Sequence, residues 1–103
     1  KGEHSMKIST AVKEHLIGIE VRKFTPKTIR SYRNNLNLFL RFCEEEAGIA
    51  EIENVSLAVV RQFARFMSER GRKGRYINGL LKVAKAFIQY CYEEGYGGFN
   101  SVS

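Results

Sequence analysis

The chain has 103 residues, 44% hydrophobic and 27% charged, a composition that predicts one globular domain and excludes an intrinsically disordered chain. Its net charge of +6 and pI of about 9.6 favour nucleic acid or an anionic surface as partner. No run approaches the ~20 apolar residues of a membrane span, and no signal-peptide pattern opens the chain. Residues 1–5 are interpreted as an expression-tag remnant and residues 6–103 as a single helical domain, with Met6 as the expected native start.

The first predicted helix spans about Ile8 to Lys23. Its apolar residues recur at intervals of four, four and three, which is the spacing of one face of an α-helix. They are Ile8, Val12, Leu16 and Ile19. Gly18 lowers the helix propensity slightly, and Ser9 or Thr10 lies near the start.

The longest amphipathic segment, Thr25 to Glu46, is the strongest helix signal in the chain. Thr25 is a favourable N-cap residue, and Pro26 suits the first helical position, where no backbone N–H is needed. Gly48 follows the segment, where a left-handed cap is expected. The apolar stripe consists of Ile29, Tyr32, Leu36, Phe39 and Cys43. The opposite face contains only cations and amides, which are Lys27, Arg30, Asn34, Asn37 and Arg41.

Two further helices are predicted in the second half of the chain. Ser56 can cap a short helix that ends near Arg70, and a longer helix runs from about Arg75 to Glu94. The expected core positions are Val59 or Val60, Phe63, Phe66 and Met67 in the third helix and Ile77, Leu80, Leu81, Ala84, Phe87, Ile88 and Cys91 in the fourth. No segment alternates apolar and polar residues over more than four positions, so no strand is predicted. We expect an all-α, four-helix domain with short links.

The residue types needed for catalysis or metal binding do not cluster in the sequence. His15 stands alone on a predicted helix and is interpreted as a solvated surface side chain. No Cys/His group has metal-ligand spacing and no glycine-rich loop follows a strand, so neither a metal nor a cofactor is predicted. Cys43 and Cys91 lie on apolar stripes and are expected to be buried free thiols in a reducing cytosol, with a disulfide as the minor alternative. The expectation is a cytoplasmic domain without a catalytic site.

Basic side chains are concentrated on two predicted helix faces. The fourth helix has a polar face that matches the one on the second helix and consists of Arg75, Asn78, Lys82, Lys85 and Gln89. A solvated helix face usually interleaves glutamate with lysine, whereas neither of these faces contains an acid. Lysine and arginine bind phosphate, and arginine, asparagine and glutamine read base edges, so the two faces favour DNA. Binding to calmodulin or to a membrane surface is less favoured, because the apolar helix faces are needed for the core.

The order and separation of these segments resemble those of a known family. The second predicted helix fits the pattern T-x-x-x-Y-x-x-x-L-x-x-F through Thr28, Tyr32, Leu36 and Phe39. The fourth fits I-N-x-x-L-x-x-x-K-x-F through Ile77, Asn78, Leu81, Lys85 and Phe87. The ending Gly95-Tyr96…Asn100 is similar to a G-Y-I-x-x-N-P exit, with Ser101 in place of the usual proline. From about Ile8 onward, the chain resembles the N-terminal, SAM-like core-binding domain of phage and transposon integrases, the tyrosine recombinases.

This resemblance implies a four-helix SAM-like bundle that lays two helices, here the second and the fourth, across the major groove of a double-stranded DNA half-site. It also implies that catalysis of DNA integration and recombination lies in a separate C-terminal domain with the tyrosine nucleophile, so no residue of this chain is predicted to be catalytic. The isolated domain is expected to be a monomer. The runner-up function is a small helical interaction module whose basic faces bind an acidic protein.

The residues predicted to contact DNA lie at the starts of the second and fourth helices and in the basic link before the fourth. They are Lys27, Thr28, Arg30, Ser31, Asn34, Lys73, Arg75, Tyr76, Asn78 and Lys82. The lysines are assigned to phosphate, and the arginines and asparagines to base edges. The hydroxyl residues are assigned to phosphate, because they lie near helix starts. The three acids Glu44 to Glu46 are interpreted as the place where this surface stops.

Overall fold

The computed structural model describes residues 6–22 and 24–96. They form four α-helices: α1 (Ile8–Val21), α2 (Pro26–Arg41), α3 (Leu57–Glu69) and α4 (Gly74–Glu94). The all-α prediction is therefore confirmed, and the only extended pairing among the described residues is an isolated antiparallel bridge between Lys7 and Glu51. No helix in this part of the chain is both long and apolar enough to cross a membrane. The interpreted tag remnant and the Asn100–Ser101 part of the exit motif lie outside the described residues.

The start of helix α2 agrees with the prediction from its sequence, whereas its end differs from that prediction. Thr25 Oγ1 accepts a hydrogen bond from the Thr28 N–H at 3.2 Å, and Pro26 occupies the first turn. At the other end, the helix widens into a π-helical turn, Phe42–Glu46. The chain then leaves the helix at Gly48, whose φ of +67° is the left-handed conformation that glycine adopts readily. The π-helical turn contains two consecutive buried residues, Phe42 and Cys43, of which only the second was expected in the core.

The core is organised around α4, which contacts each of the other three helices. Its apolar face includes Phe87, which lies edge-on to Phe39 of α2 with 6.5 Å between ring centroids. Phe39 in turn meets Phe63 of α3 at 5.2 Å. All three rings are almost completely buried. Burial of aromatic rings and their edge-on contacts are both stabilising, so this trio joins three helices at one point.

Most of the predicted core positions are buried. The buried ones are Ile8, Val12, Ile19, Leu36, Phe39, Cys43, Val59, Val60, Phe63, Met67, Leu80, Ala84, Phe87, Ile88 and Cys91. The remaining ones are half-buried and pack against this core: Leu16, Tyr32, Phe66, Ile77 and Leu81, with Ile29 also of intermediate exposure. Ser56 precedes α3 as expected but makes no side-chain capping bond.

The connector between α2 and α3 is part of the core. Ile52, in a short 3₁₀ turn (Ile52–Asn54), is fully buried, and Val55 is nearly so. The Ile52 N–H donates to the Met6 carbonyl at 2.7 Å, and the Ile8 N–H donates to the Ala50 carbonyl at 2.9 Å. The connector is thereby fastened to the start of α1. Ile49, Ile52 and Val55 recur every three residues, which is the period of a 3₁₀ helix. This spacing could have indicated from the sequence that the connector is partly buried.

Helix α4 ends at Gly95, as its sequence predicts. The φ of Gly95 is +77°, and the Tyr96 N–H donates to the Cys91 carbonyl at 2.9 Å. This capping bond turns the chain back so that the Tyr96 ring meets the Tyr90 ring edge-on, with 6.0 Å between centroids. Burial, followed by a hydrogen bond with Tyr96, raises the pKa of Tyr90.

The interpretation of His15 as a solvated side chain is wrong. His15 is only 4% exposed and lies where α1 meets α2 and α4. Its Nε2 shares a hydrogen bond of 2.8 Å with the Tyr32 hydroxyl, and its ring lies 4.6 Å from the Tyr90 ring. Position 15 falls four residues after Ala11 and four before Ile19, so the helical spacing already placed it on the buried face.

Burial, and secondarily the positive charge of Arg22, lower the pKa of His15 from 6.5 to about 4. The folded protein therefore holds this imidazole neutral near pH 7. As pH falls below 6.5, the unfolded state takes up a proton before the folded state does. The free energy of unfolding should fall between about pH 6.5 and pH 4, by up to about 1.4 kcal/mol per pH unit.

Urea unfolding at pH 7.0 and pH 5.5 measures this loss, at values where most carboxylates are still ionised. His15→Leu keeps an apolar side chain in the site and should reduce the loss over this interval. An equal loss in wild type and His15→Leu would show that His15 is not its source.

Candidate nucleic-acid interface

Every residue that was predicted to contact DNA is exposed. The ten positions lie in the first half of α2, in the link before α4 and in the first half of α4. The described ion pairs are formed by other arginines: Arg33 with Glu20 at 2.8 Å, and Arg65 with Glu69 at 3.4 Å. The cations that were predicted to contact DNA therefore form no ion pair with acids in the described part of the chain.

Helices α2 and α4 together form an open groove at the start of α2. Lys27, Thr28 and Ser31 line it from α2, and Val83 lines it from α4. The half-buried ring of Tyr32 also lines it. The side chains of α2 in this groove carry an amine and hydroxyls, which are groups that donate to phosphate oxygens. The tertiary structure thus brings three of the predicted residues of α2 next to α4.

One lining residue of this groove was missed by the sequence interpretation. Asn35 lies beside Ser31 and Tyr32 in the groove, outside the polar stripe that had been assigned to α2. Its position four residues after Ser31 and seven after Thr28 was the signal, because residues at these intervals share a helix face. Arg30 and Asn34 do not line the groove but are exposed elsewhere on α2. The predicted α2 set is therefore divided between the groove and a neighbouring part of the helix surface.

The polar face of α4 is divided as well. Arg75, Asn78 and Lys82 are exposed and do not line the groove between α2 and α4. Lys85, which continues the same spacing, instead lines a separate groove between α3 and α4. Gln89, at the end of the stripe, donates to the Glu93 carboxylate at 3.0 Å. The acid-free part of this face is thus confined to the first half of α4.

The stripe on α2 is also limited to the start of its helix. Arg41, its last member, lines a cleft together with Glu45 and Glu46 of the π-helical turn. Acids therefore lie beside the C-terminal ends of both stripes. Among the predicted contact residues, the five cations Lys27, Arg30, Lys73, Arg75 and Lys82 form no described ion pair and do not line this cleft.

The link before α4 turns at Gly71, whose φ is +85°. Arg72 then places its guanidinium over the Tyr76 ring, 5.4 Å from the centroid, in a cation–π contact that holds the exposed ring against the helix start. Arg72 was not among the predicted contact residues. Arg72 precedes α4, so helical spacing gave no signal for this contact.

The two helix starts differ in what they offer an anion. At α2, the Thr28 N–H is already bonded to Thr25 Oγ1, whose hydroxyl also donates to Thr28 Oγ1 at 2.9 Å. At α4, the N-cap residue Lys73 makes no side-chain capping bond, so the first N–H groups of this helix are left for an external acceptor. The α4 start therefore leaves more backbone N–H groups for a phosphate than the α2 start does.

The described residues contain no group of three or more His, Cys, Asp or Glu side chains that could hold a metal ion. Cys43 and Cys91 are both buried and free, in agreement with the prediction of buried thiols. Burial raises the pKa of each thiol to about 12, with a smaller contribution from Glu44 or Glu94, respectively. The two cysteines therefore act as small apolar residues of the core.

The sequence matches the family of phage integrase N-terminal SAM-like domains over residues 12–95. The chain belongs to this family. The matched range contains all ten predicted contact residues and ends at the glycine that terminates α4. The resemblance inferred from the helix motifs is thereby confirmed.

Two curated relatives are tyrosine recombinases named XerC. The protein from Chlorobaculum parvum is 33% identical over 79 residues, which cover 72% of this chain and 24% of the relative. The protein from Oceanobacillus iheyensis is 31% identical over 72 residues, which cover 70% and 23%. The chain thus spans about a quarter of the length of the curated relatives it matches. No solved structure shows significant similarity to it.

The capping hydroxyl of Thr25 is expected to stabilise the start of α2, where the groove residues lie. Thr25→Ala removes the acceptor for the Thr28 N–H and should lower the free energy of unfolding by about 1 kcal/mol. Thr25→Ser should restore most of it. Urea denaturation at pH 7 measures the difference. Ser31→Ala, at an exposed position inside the helix, is the control and should change stability by no more than about 0.5 kcal/mol. Equal effects of Thr25→Ala and Ser31→Ala would contradict a capping role.

Proposed function

We propose that this chain is the DNA-binding core-binding domain of a site-specific tyrosine recombinase and grips one half-site of duplex DNA through α2 and α4. The observation that carries the proposal is the clustering of hydroxyls, amides and cations that form no described ion pair on the N-terminal halves of these two helices. Such side chains contact phosphate and base edges. We assign the strand-exchange chemistry to a separate catalytic domain of the full-length protein. Sequencing the reading frame beyond Ser103 tests this assignment.

The two helices take different parts in this proposal. Lys27, Thr28 and Ser31 bind the phosphate backbone, because they line one groove and end in an amine or a hydroxyl. Lys73 and Lys82 contact phosphate on either side of the α4 start. Such contacts position the domain on the duplex without reading its sequence.

Sequence is read mainly by Arg75 and Asn78 of α4. Both are exposed and lie within the first two turns of the helix, whose uncapped start can approach a phosphate. Their guanidinium and carboxamide groups can form paired hydrogen bonds with guanine and adenine, respectively, in the major groove. Arg30 and Asn34 of α2 are proposed as additional base readers, and Tyr76 as a phosphate contact that Arg72 holds in place.

The phosphate contacts predict a strong dependence of DNA affinity on salt. Each contact releases counterions, so Lys27→Ala should weaken binding and should reduce the slope of log K against log salt by about 1. Fluorescence anisotropy with a labelled duplex, measured over a series of salt concentrations, gives both quantities. Arg65→Ala is the matched control, because Arg65 is an exposed cation on α3 that pairs with Glu69. Salt-independent binding, or identical slopes for the two variants, would refute the proposed surface.

The base contacts predict a change of sequence preference. Arg75→Ala and Asn78→Ala should each relax preference at one position of the site, by roughly 1–3 kcal/mol per lost base contact. Selection from a randomised duplex pool, followed by competition between the selected and altered sites, measures this preference. Lys82→Ala is the control and should weaken binding to all duplexes about equally. If Arg75→Ala and Asn78→Ala behaved like Lys82→Ala, α4 would not be the reading helix.

A further inference from the structure

A second groove, between α3 and α4, has the chemistry of a protein-binding site. It has a volume of about 470 Å³, and none of the ten predicted DNA-contact residues lines it. Its floor is apolar, whereas Arg61 and Lys85 are its only charged lining residues, one from each helix. The apolar lining residues are Leu57, Val60, Ala64 and Leu81.

The floor of this groove is incompletely covered by the fold. Leu57 and Ala64 are half-buried and lie two turns apart on α3, and Leu81 is half-buried on α4. Ala64 lines the groove from α3 with a small side chain. A row of partly exposed apolar side chains along two helical turns favours contact with another apolar surface over contact with water.

The cations on the two walls lack partners within the described residues. Arg61 and Lys85 are exposed and take part in no described ion pair or side-chain hydrogen bond. Arg65, one turn further along α3, is instead paired with Glu69. The groove therefore carries on each of its two helices one positive charge that has no ion-pair partner among the described residues.

We propose that this α3/α4 groove binds an acidic amphipathic helix of a partner protein. The apolar stripe of that helix packs against Ala64 and Leu81, and carboxylates on its two flanks pair with Arg61 and Lys85. The apolar contacts supply affinity, and the charges on opposite walls fix the orientation of the bound helix. A DNA backbone matches this groove less well, because phosphates and sugars offer no apolar stripe to cover the floor. The inference does not depend on DNA binding by α2 and α4.

The probe for this site is a synthetic helical peptide with leucines at positions i, i+4, i+7 and i+11 and glutamates on both sides of this stripe. Titration into the ¹⁵N-labelled domain should shift the amide resonances of Leu57, Ala64 and Leu81 and leave those around Thr28 and Ser31 unchanged. A peptide with lysine in place of glutamate should bind about tenfold more weakly or not at all.

Charge reversal on the protein gives the complementary measurement. Arg61→Glu combined with Lys85→Glu should lower the affinity for the glutamate peptide about tenfold and should restore binding of the lysine peptide. Both residues are exposed, so the fold should persist, and Arg65→Glu on the same helix is the matched control that should leave peptide binding unchanged.

Three results would overturn the assignment. The first is the absence of peptide binding, and the second is displacement of the peptide by duplex DNA together with weaker DNA binding of the Arg61→Glu variant. In that second case, the groove would belong to the nucleic-acid surface. The third is a concentration-dependent shift of the same three amides without peptide, which would make a second copy of the chain the occupant.

Discussion

The packing of α4 against the other three helices determines where every exposed surface of this domain can lie. Phe87 of α4, Phe39 of α2 and Phe63 of α3 meet at one point and are almost fully buried. Because α4 packs its broad apolar face against its neighbours, its polar side chains lie on the remaining strip of its surface. One groove opens on the side of this strip that faces α2, and another opens on the side that faces α3.

The contact of α1 with this core includes a buried polar group. His15 approaches Tyr32 of α2 and Tyr90 of α4, and its hydrogen bond to the Tyr32 hydroxyl satisfies a nitrogen that would otherwise be buried without a partner. Such a group is tolerated only in its neutral form, which is why burial lowers its pKa to about 4. Tyr32 also lines the groove between α2 and α4, so the same residue joins the core to the proposed DNA surface.

Both grooves are lined by cations, but their other lining residues differ. Next to Lys27, the α2 wall carries hydroxyls and an amide, whereas Arg61 and Lys85 flank a row of aliphatic side chains. Phosphate requires hydrogen-bond donors and gains nothing from an apolar floor, while an amphipathic helix requires one. This difference supports a separate ligand for each groove, although both grooves are positively charged.

The amino-acid sequence by itself determined the four helices, the cap at Thr25 and the family, because helical periodicity, capping and motif order are local properties of the chain. It also placed all ten predicted contact residues on the surface. Only the tertiary structure decided which helix faces meet. In the tertiary structure His15 is buried and Phe42 enters the core within the π-helical turn. Lys85 lines the groove between α3 and α4, whereas Lys82 does not. The physical reason is that the environment of a side chain depends on neighbouring helices, which the spacing within one helix does not specify.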